Sequence, residues 1–248
     1  MKKIIMLEPT DEVSTWGRVF GTPVVSKGKT WFPFIQIVTW GIMSLVAGRN
    51  RPERSWSERL GVGGLTMAAI LGSEWCHNLA HAAAAKLVGK PMDALLVMWG
   101  MPIVVYFNVE DEDVTPRQHI MRALGGPVFN AAAAIIAGLV RRSTQPKTAA
   151  REVLDAAVGM NTFLCTGSLV PVLELDGGPL LKWTLVEQGQ TPAQANETVQ
   201  KASRVVGGGL GIATGIALKK RRWFLGAILG MLAAMSLISG LGLFKERD

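Results

Sequence analysis

The stretch Cys76-His77-Asn78-Leu79-Ala80-His81 lies inside an apolar run from Leu60 to Val88, and its reading decides the fold. Read as one helix, the run puts His77 and His81 four residues apart on one face, about 6 Å from each other along the axis. Two imidazoles so placed can share a metal ion. Zinc takes His nitrogens at about 2.0 to 2.1 Å, and this spacing delivers two of them without straining the backbone. The alternative is a pair of polar side chains hydrogen-bonded inside a bundle. In a helix that spans a bilayer, ionisable side chains are costly and by default functional, which favours the metal.

The composition supports a membrane reading. The chain has 248 residues, 49% of them hydrophobic and 18% charged, with 8 Trp. Its mean hydropathy of +0.28 is too high for an ordinary soluble domain. The net charge of +7 does not point to nucleic acid, because the basic residues cluster between apolar runs instead of lining one amphipathic face among aromatics. Loops anchored on anionic lipid account for them. The two cysteines, Cys76 and Cys165, lie in apolar runs and imply no disulfide framework, although Cys76 could reach a metal beside His77. The start Met1-Lys2-Lys3 lacks a long apolar core and is not expected to be a cleavable signal peptide.

Outward from the histidines, residues 1–30 read as an irregular interfacial segment punctuated by Pro9, Gly17, Gly21 and Pro23. A single polytopic domain then covers 31–248, with its core at about 60–180. Trp31 to Gly48 is a first span, Leu60 to Val88 a second, closed by Gly89-Lys90-Pro91. Ala82 to Ala85 lets another backbone approach closely. Ala94 to Val109, broken at Gly100-Met101-Pro102 and ending in the acidic run Glu110 to Asp113, reads as a β-hairpin against the bundle. Arg117 to Val140 is a third span. Val153 to Leu173 is a fourth, interrupted by Asn161. Lys182 to Arg204 reads as an amphipathic connector, Val205 to Leu218 as a short fifth span, and Trp223 to Phe244 as the last, with a charged tail. The expected fold is thus an all-α membrane bundle of about six transmembrane helices with a small β-hairpin or sheet.

Zinc peptidases carry His-Glu-x-x-His on such a helix, the Glu taking a proton from the attacking water. Here Asn78 stands at that position. An amide cannot accept the proton at neutral pH, and loss of a general base costs about 10²- to 10⁴-fold in rate. Further along, Glu174-Leu175-Asp176-Gly177-Gly178 ends an apolar run, as in a broken helix whose backbone lines a cavity. Asp176 can supply a third, oxygen ligand and so complete the open coordination of a catalytic zinc, or it can start a surface turn. Asn130, after Gly125-Gly126-Pro127, can restore hydrogen bonding around the Gly-Pro break or join two helices.

These four separated signals, in this order, resemble the site-2 protease family of intramembrane zinc metallopeptidases. His77 to His81 looks like its zinc helix, the 94–109 hairpin its membrane-associated strands, Gly126-Pro127-x-x-Asn130 its Gly-Pro-x-x-Asn span, and Leu175-Asp176-Gly177 its Leu-Asp-Gly motif. The likeness covers roughly residues 20 to 180. It implies Zn2+ held by His77, His81 and Asp176, and Asn130 helping to hold a substrate segment or the oxyanion. It also implies transmembrane-helix proteins as substrates or clients, the hairpin receiving the unwound substrate as an added strand. The chain departs from the family at Asn78, at Glu174 where a Pro is usual, and at Ser168 where an Asn is common.

Three functions follow. The first is a zinc protein that binds membrane helices and is proteolytically impaired or non-catalytic. The second is an active intramembrane protease using Glu74 or Glu174 as its base. Glu74 lies about 40° around the helix from Asn78 but one turn, about 6 Å, along it. The third is a membrane metal carrier or sensor, for which three His, with His119 apart, make a thin path. The expected location is the cytoplasmic membrane of a prokaryote. The loops at 49–59, 141–151 and 219–222 carry four Lys or Arg each and would face the cytoplasm. That puts the hairpin outside, opposite to the family expectation, so orientation stays open, as does oligomeric state.

Overall fold

The computed structural model describes residues 7–108, 111 and 113–243, apart from the side chain of Phe224. The Lys2-Lys3 start, part of the acidic run after the hairpin and the charged tail lie outside the described residues.

The chain is mostly helical with one small sheet: β1 (Ser14–Val19), β2 (Thr22–Ser26), α1 (Phe34–Asn50), α2 (Trp56–Leu87), β3 (Ala94–Met98), β4 (Met101–Val105), α3 (Pro116–Ser143), α4 (Ala149–Ser168), α5 (Gly177–Glu187), α6 (Pro192–Lys219) and α7 (Trp223–Gly240). It divides into two compact units. Of the described residues, one holds 7–107 and 125–166; the other holds 108–124 and 167–243, so the helix α3 contributes to both.

In the first unit the strands run in the order β1-β2-β3-β4. Strands β1/β2 and β3/β4 are antiparallel hairpins, and β2 runs parallel to β3 through Val24–Leu95 and Val25–Leu96. A parallel pair needs a long crossover, and α1 and α2 provide it. Residues 14–26, expected as irregular lead-in, are therefore strands; Gly17 and Gly21 serve as bulge and turn at positive φ, so the sequence punctuation marked a hairpin. Residues 94–105 form the hairpin expected within 94–109, joined by Trp99 and Gly100, both at positive φ (55° and 89°), as a two-residue turn requires. Alternate residues of β4 face opposite ways. Ile103 and Val105 pack with Val25, Ala94 and Leu96, while Val104 meets Ala82 and Ala85 of α2.

Helix α2 starts four residues before the expected span, because Ser55 and Glu58 form a reciprocal capping box. It ends at Gly89 (φ 74°), a left-handed stop. Helix α3 approaches α2 closely at Gly125, where a Cβ would press on the Ala80 carbonyl and Ala84.

In the second unit, α5 and α6 pack together, as do α6 and α7. The expected connector at 182–204 is instead most of α5 and the first half of α6. The Thr191-Pro192-x-Gln194 capping box starts α6, which then runs unbroken through the Gly-rich 205–218 stretch. The fourth span stops as α4 at Ser168, and residues 169–176 make a tight turn into α5.

By length and hydropathy, Gly28–Asn50 and Pro116–Ser143 qualify as spans among the described residues, with Leu225–Gly240 apolar but shorter. Charged and amide side chains lower the average elsewhere. The outward faces nevertheless invert the soluble pattern: Leu45, Ile135 and Met231 are exposed at 64 to 70%, while Ser44, Asn130 and Ser236 are at most 3% exposed.

Candidate metal centre

Helix α2 brings His77 and His81 together as its period dictates. Both are buried, their rings meet edge to face, and their Nε2 atoms stand 3.1 Å apart. Two nitrogens bound to one tetrahedral ion at about 2.05 Å would be about 3.3 Å apart, so the pair fits zinc with almost no movement. Space for the rings comes from α3: a Cβ on Gly126 would overlap His77 Cε1 and His81 Nε2.

The outer ring nitrogen of His77 is held from behind. Its Nδ1 lies 2.5 Å from Asn130 Oδ1, Asn130 Nδ2 donates to Asn161 Oδ1 at 2.7 Å, and Asn161 Nδ2 donates to Ser73 Oγ at 2.8 Å. A ligating histidine commonly donates its second N–H to such a partner, which fixes the ring. Asn130, given to the substrate by resemblance, thus has both ends of its amide on protein groups. It also joins α2, α3 and α4. Sequence reasoning noted Asn161 only as an interruption and passed over Ser73. The available signals were an amide in an apolar span and a hydroxyl one turn before His77.

Asn78 is buried beside the pair. Its Nδ2 donates back to Glu74, to the carbonyl at 3.0 Å and the carboxylate Oε1 at 3.3 Å. The amide at the position of the base and one of its two candidate substitutes, Glu74, therefore engage each other.

Asp176 and Glu174 belong to the other unit. Asp176 precedes α5 in helical conformation, and its carboxylate makes no capping bond to that helix. The turn is rigid. Gly177 and Gly178 lie against the backbone of Leu169, Val170 and Val172, where any Cβ would collide. Glu174 lies next to Ser239 of α7.

A histidine pair on one long helix, braced by two neighbouring helices and flanked by a small mixed sheet, makes a candidate metal site in a helical fold. No family model matches the chain. Residues of the chain are 28% identical over 193 positions to a Synechocystis sp. protein named "Putative zinc metalloprotease", covering 76% of this chain but 48% of the relative, so the chain spans about half that relative's length. The solved site-2 protease from Methanocaldococcus jannaschii shares the fold with a TM-score of 0.58 at 12% identity, over 96% of this chain and 97% of that one. The chain therefore has the site-2 protease fold, and its sequence is similar to that of a putative zinc metalloprotease.

Proposed function

We propose that this chain is a zinc-binding membrane protein that engages transmembrane helices and is impaired as a protease. The observation that carries the reading is Asn78. A carboxamide occupies the place of the proton acceptor, and its nitrogen is tied to Glu74. Zinc, when bound, would polarise a peptide carbonyl and acidify the attacking water. His77 and His81 supply two ligands from one buried face, and Asp176 is assigned as the third from the Leu-Asp-Gly motif and from the preference of open zinc sites for two imidazoles and a carboxylate. Asn130 steadies His77. Asn78 can orient a water but cannot take its proton. The lipid bilayer as surroundings is supported by the outward apolar faces of α1, α3 and α7, and a prokaryotic cytoplasmic membrane is the proposed location.

The test is purified full-length protein in detergent with generic transmembrane substrates. Zinc that is bound by the wild type and lost in His77→Ala, with cleavage appearing only in Asn78→Glu, is the expected result. Wild-type cleavage abolished by His77→Ala would overturn the impaired reading in favour of an active intramembrane protease. One contact favours that second reading: the Glu74 carboxylate stands 3.3 Å from the Asn78 nitrogen, next to the vacated position of the base.

A further inference from the structure

Two backbone carbonyls give the polar chain behind His77 a direction. Ser73 Oγ lies 2.7 Å from the Ala69 carbonyl, and Asn161 Nδ2 lies 2.9 Å from the Ala157 carbonyl. A carbonyl oxygen only accepts, so the Ser73 hydroxyl donates to Ala69, and the Asn161 atom facing Ala157 is the nitrogen. That nitrogen's other hydrogen goes to Ser73 Oγ at 2.8 Å, leaving Asn161 Oδ1 toward Asn130. An oxygen there demands the nitrogen of Asn130, at 2.7 Å, and so turns Asn130 Oδ1 toward His77 Nδ1. Flipping Asn130 would set two carbonyl oxygens face to face. Ser73, Asn130 and Asn161 are all buried, so water is poorly placed to repair such a reversal.

We infer that Asn161 and Ser73 are positioning residues which, through Asn130, lock His77 in its Nδ1–H tautomer and so keep the Nε2 lone pair turned toward His81 and the metal. Which nitrogen of a histidine ligates is set by the hydrogen bond the other one makes. Here the choice is made two residues away from the ring, on α4. This rests on the zinc reading for its consequence, while the tautomer itself does not need zinc.

The test uses the full chain in micelles. In metal-free protein, 15N NMR reads the protonated ring nitrogen of His77, assigned with His77→Asn. Wild type shows protonated Nδ1. Asn161→Ala lets Asn130 turn, moves the signal toward the Nε2–H form, and weakens zinc binding about 10- to 100-fold, the range for lost outer partners of a ligand. Ser73→Ala, which leaves Asn161 its bond to Ala157, weakens zinc less than Asn161→Ala does. A carboxylate only accepts, so Asn130→Asp holds Nδ1–H without help from Asn161. In that background Asn161→Ala changes zinc affinity by less than about threefold, an energy below that of one ordinary hydrogen bond.

An equal loss in both backgrounds, or an unchanged tautomer in Asn161→Ala, overturns the inference. A folded wild type with protonated Nδ1 that takes up no zinc overturns the zinc reading and leaves the tautomer lock standing.

Discussion

Gly126 shows how far the histidine pair depends on an absent side chain. The α3 backbone passes so close to the two imidazoles that one methyl group would occupy ring space. Gly126→Ala should therefore displace His77 and His81, at about 1 to 3 kcal/mol of overpacking and with zinc affinity down at least tenfold. Chelator competition and thermal melting read the two effects. Gly126→Ala with normal zinc affinity would show that the rings have slack. At this scale the histidine pair could be read directly from its spacing. The companions of His77 could not, because Asn130 and Asn161 lie 53 and 84 residues further along, and their pairing depends on how three helices meet. Hydropathy marks an amide in an apolar span; it does not name its partner.

Among the elements, α2 matters most, and its start is set by a short signal. Ser55 accepts from the Glu58 N–H, and the Glu58 carboxylate accepts from the Ser55 N–H and hydroxyl. The Ser55 hydroxyl and then its N–H hold the Glu58 carboxyl below the usual carboxylate range. A carboxyl lowered on folding stabilises the folded form above its ordinary pKa, and that contribution fades as pH falls through the lowered value. The first turn of α2 should thus fray in acid. Ser55→Ala should cost about 1 kcal/mol and flatten that acid dependence. Hydrogen exchange of the first α2 amides checks both, and identical pH profiles for variant and wild type would refute the cap's role. The Thr191 box caps α6 with the same pair of bonds, through the uncharged Gln194. Reading Lys182 to Arg204 as one connector weighed its polarity above the cap signal, although the cap and the Pro at the first helical position are what set where that helix begins.

For the whole molecule, the apolar surface of α1, α3 and α7 calls for a solvent that hides it. The full-length protein should remain with membranes through alkaline carbonate extraction and leave them only in detergent; recovery in the aqueous fraction would contradict the bilayer reading. Within the first unit, Arg54 grips Glu152 with two bonds of 2.8 Å, and Arg51 adds a contact at 3.3 Å, so the basic loop after α1 is fastened to the start of α4. Arg54 is largely buried. Glu152→Gln should cost about 2 kcal/mol, the scale of leaving a charged donor badly paired. A melting temperature unchanged by Glu152→Gln would mean that solvent already screens the pair. The basic loop was plain in the sequence, but its acidic clasp, 98 residues away from Arg54, was not.

The turn of the second hairpin has a mechanical meaning. The Gly100 carbonyl accepts from Gln36 of α1 at 2.5 Å and from the Trp75 indole of α2 at 3.0 Å. Trp75 precedes His77 by two residues. The clamp thus pins the tip of the hairpin to the very helix that holds the imidazoles, so the edge of the sheet and the histidine pair share one anchor.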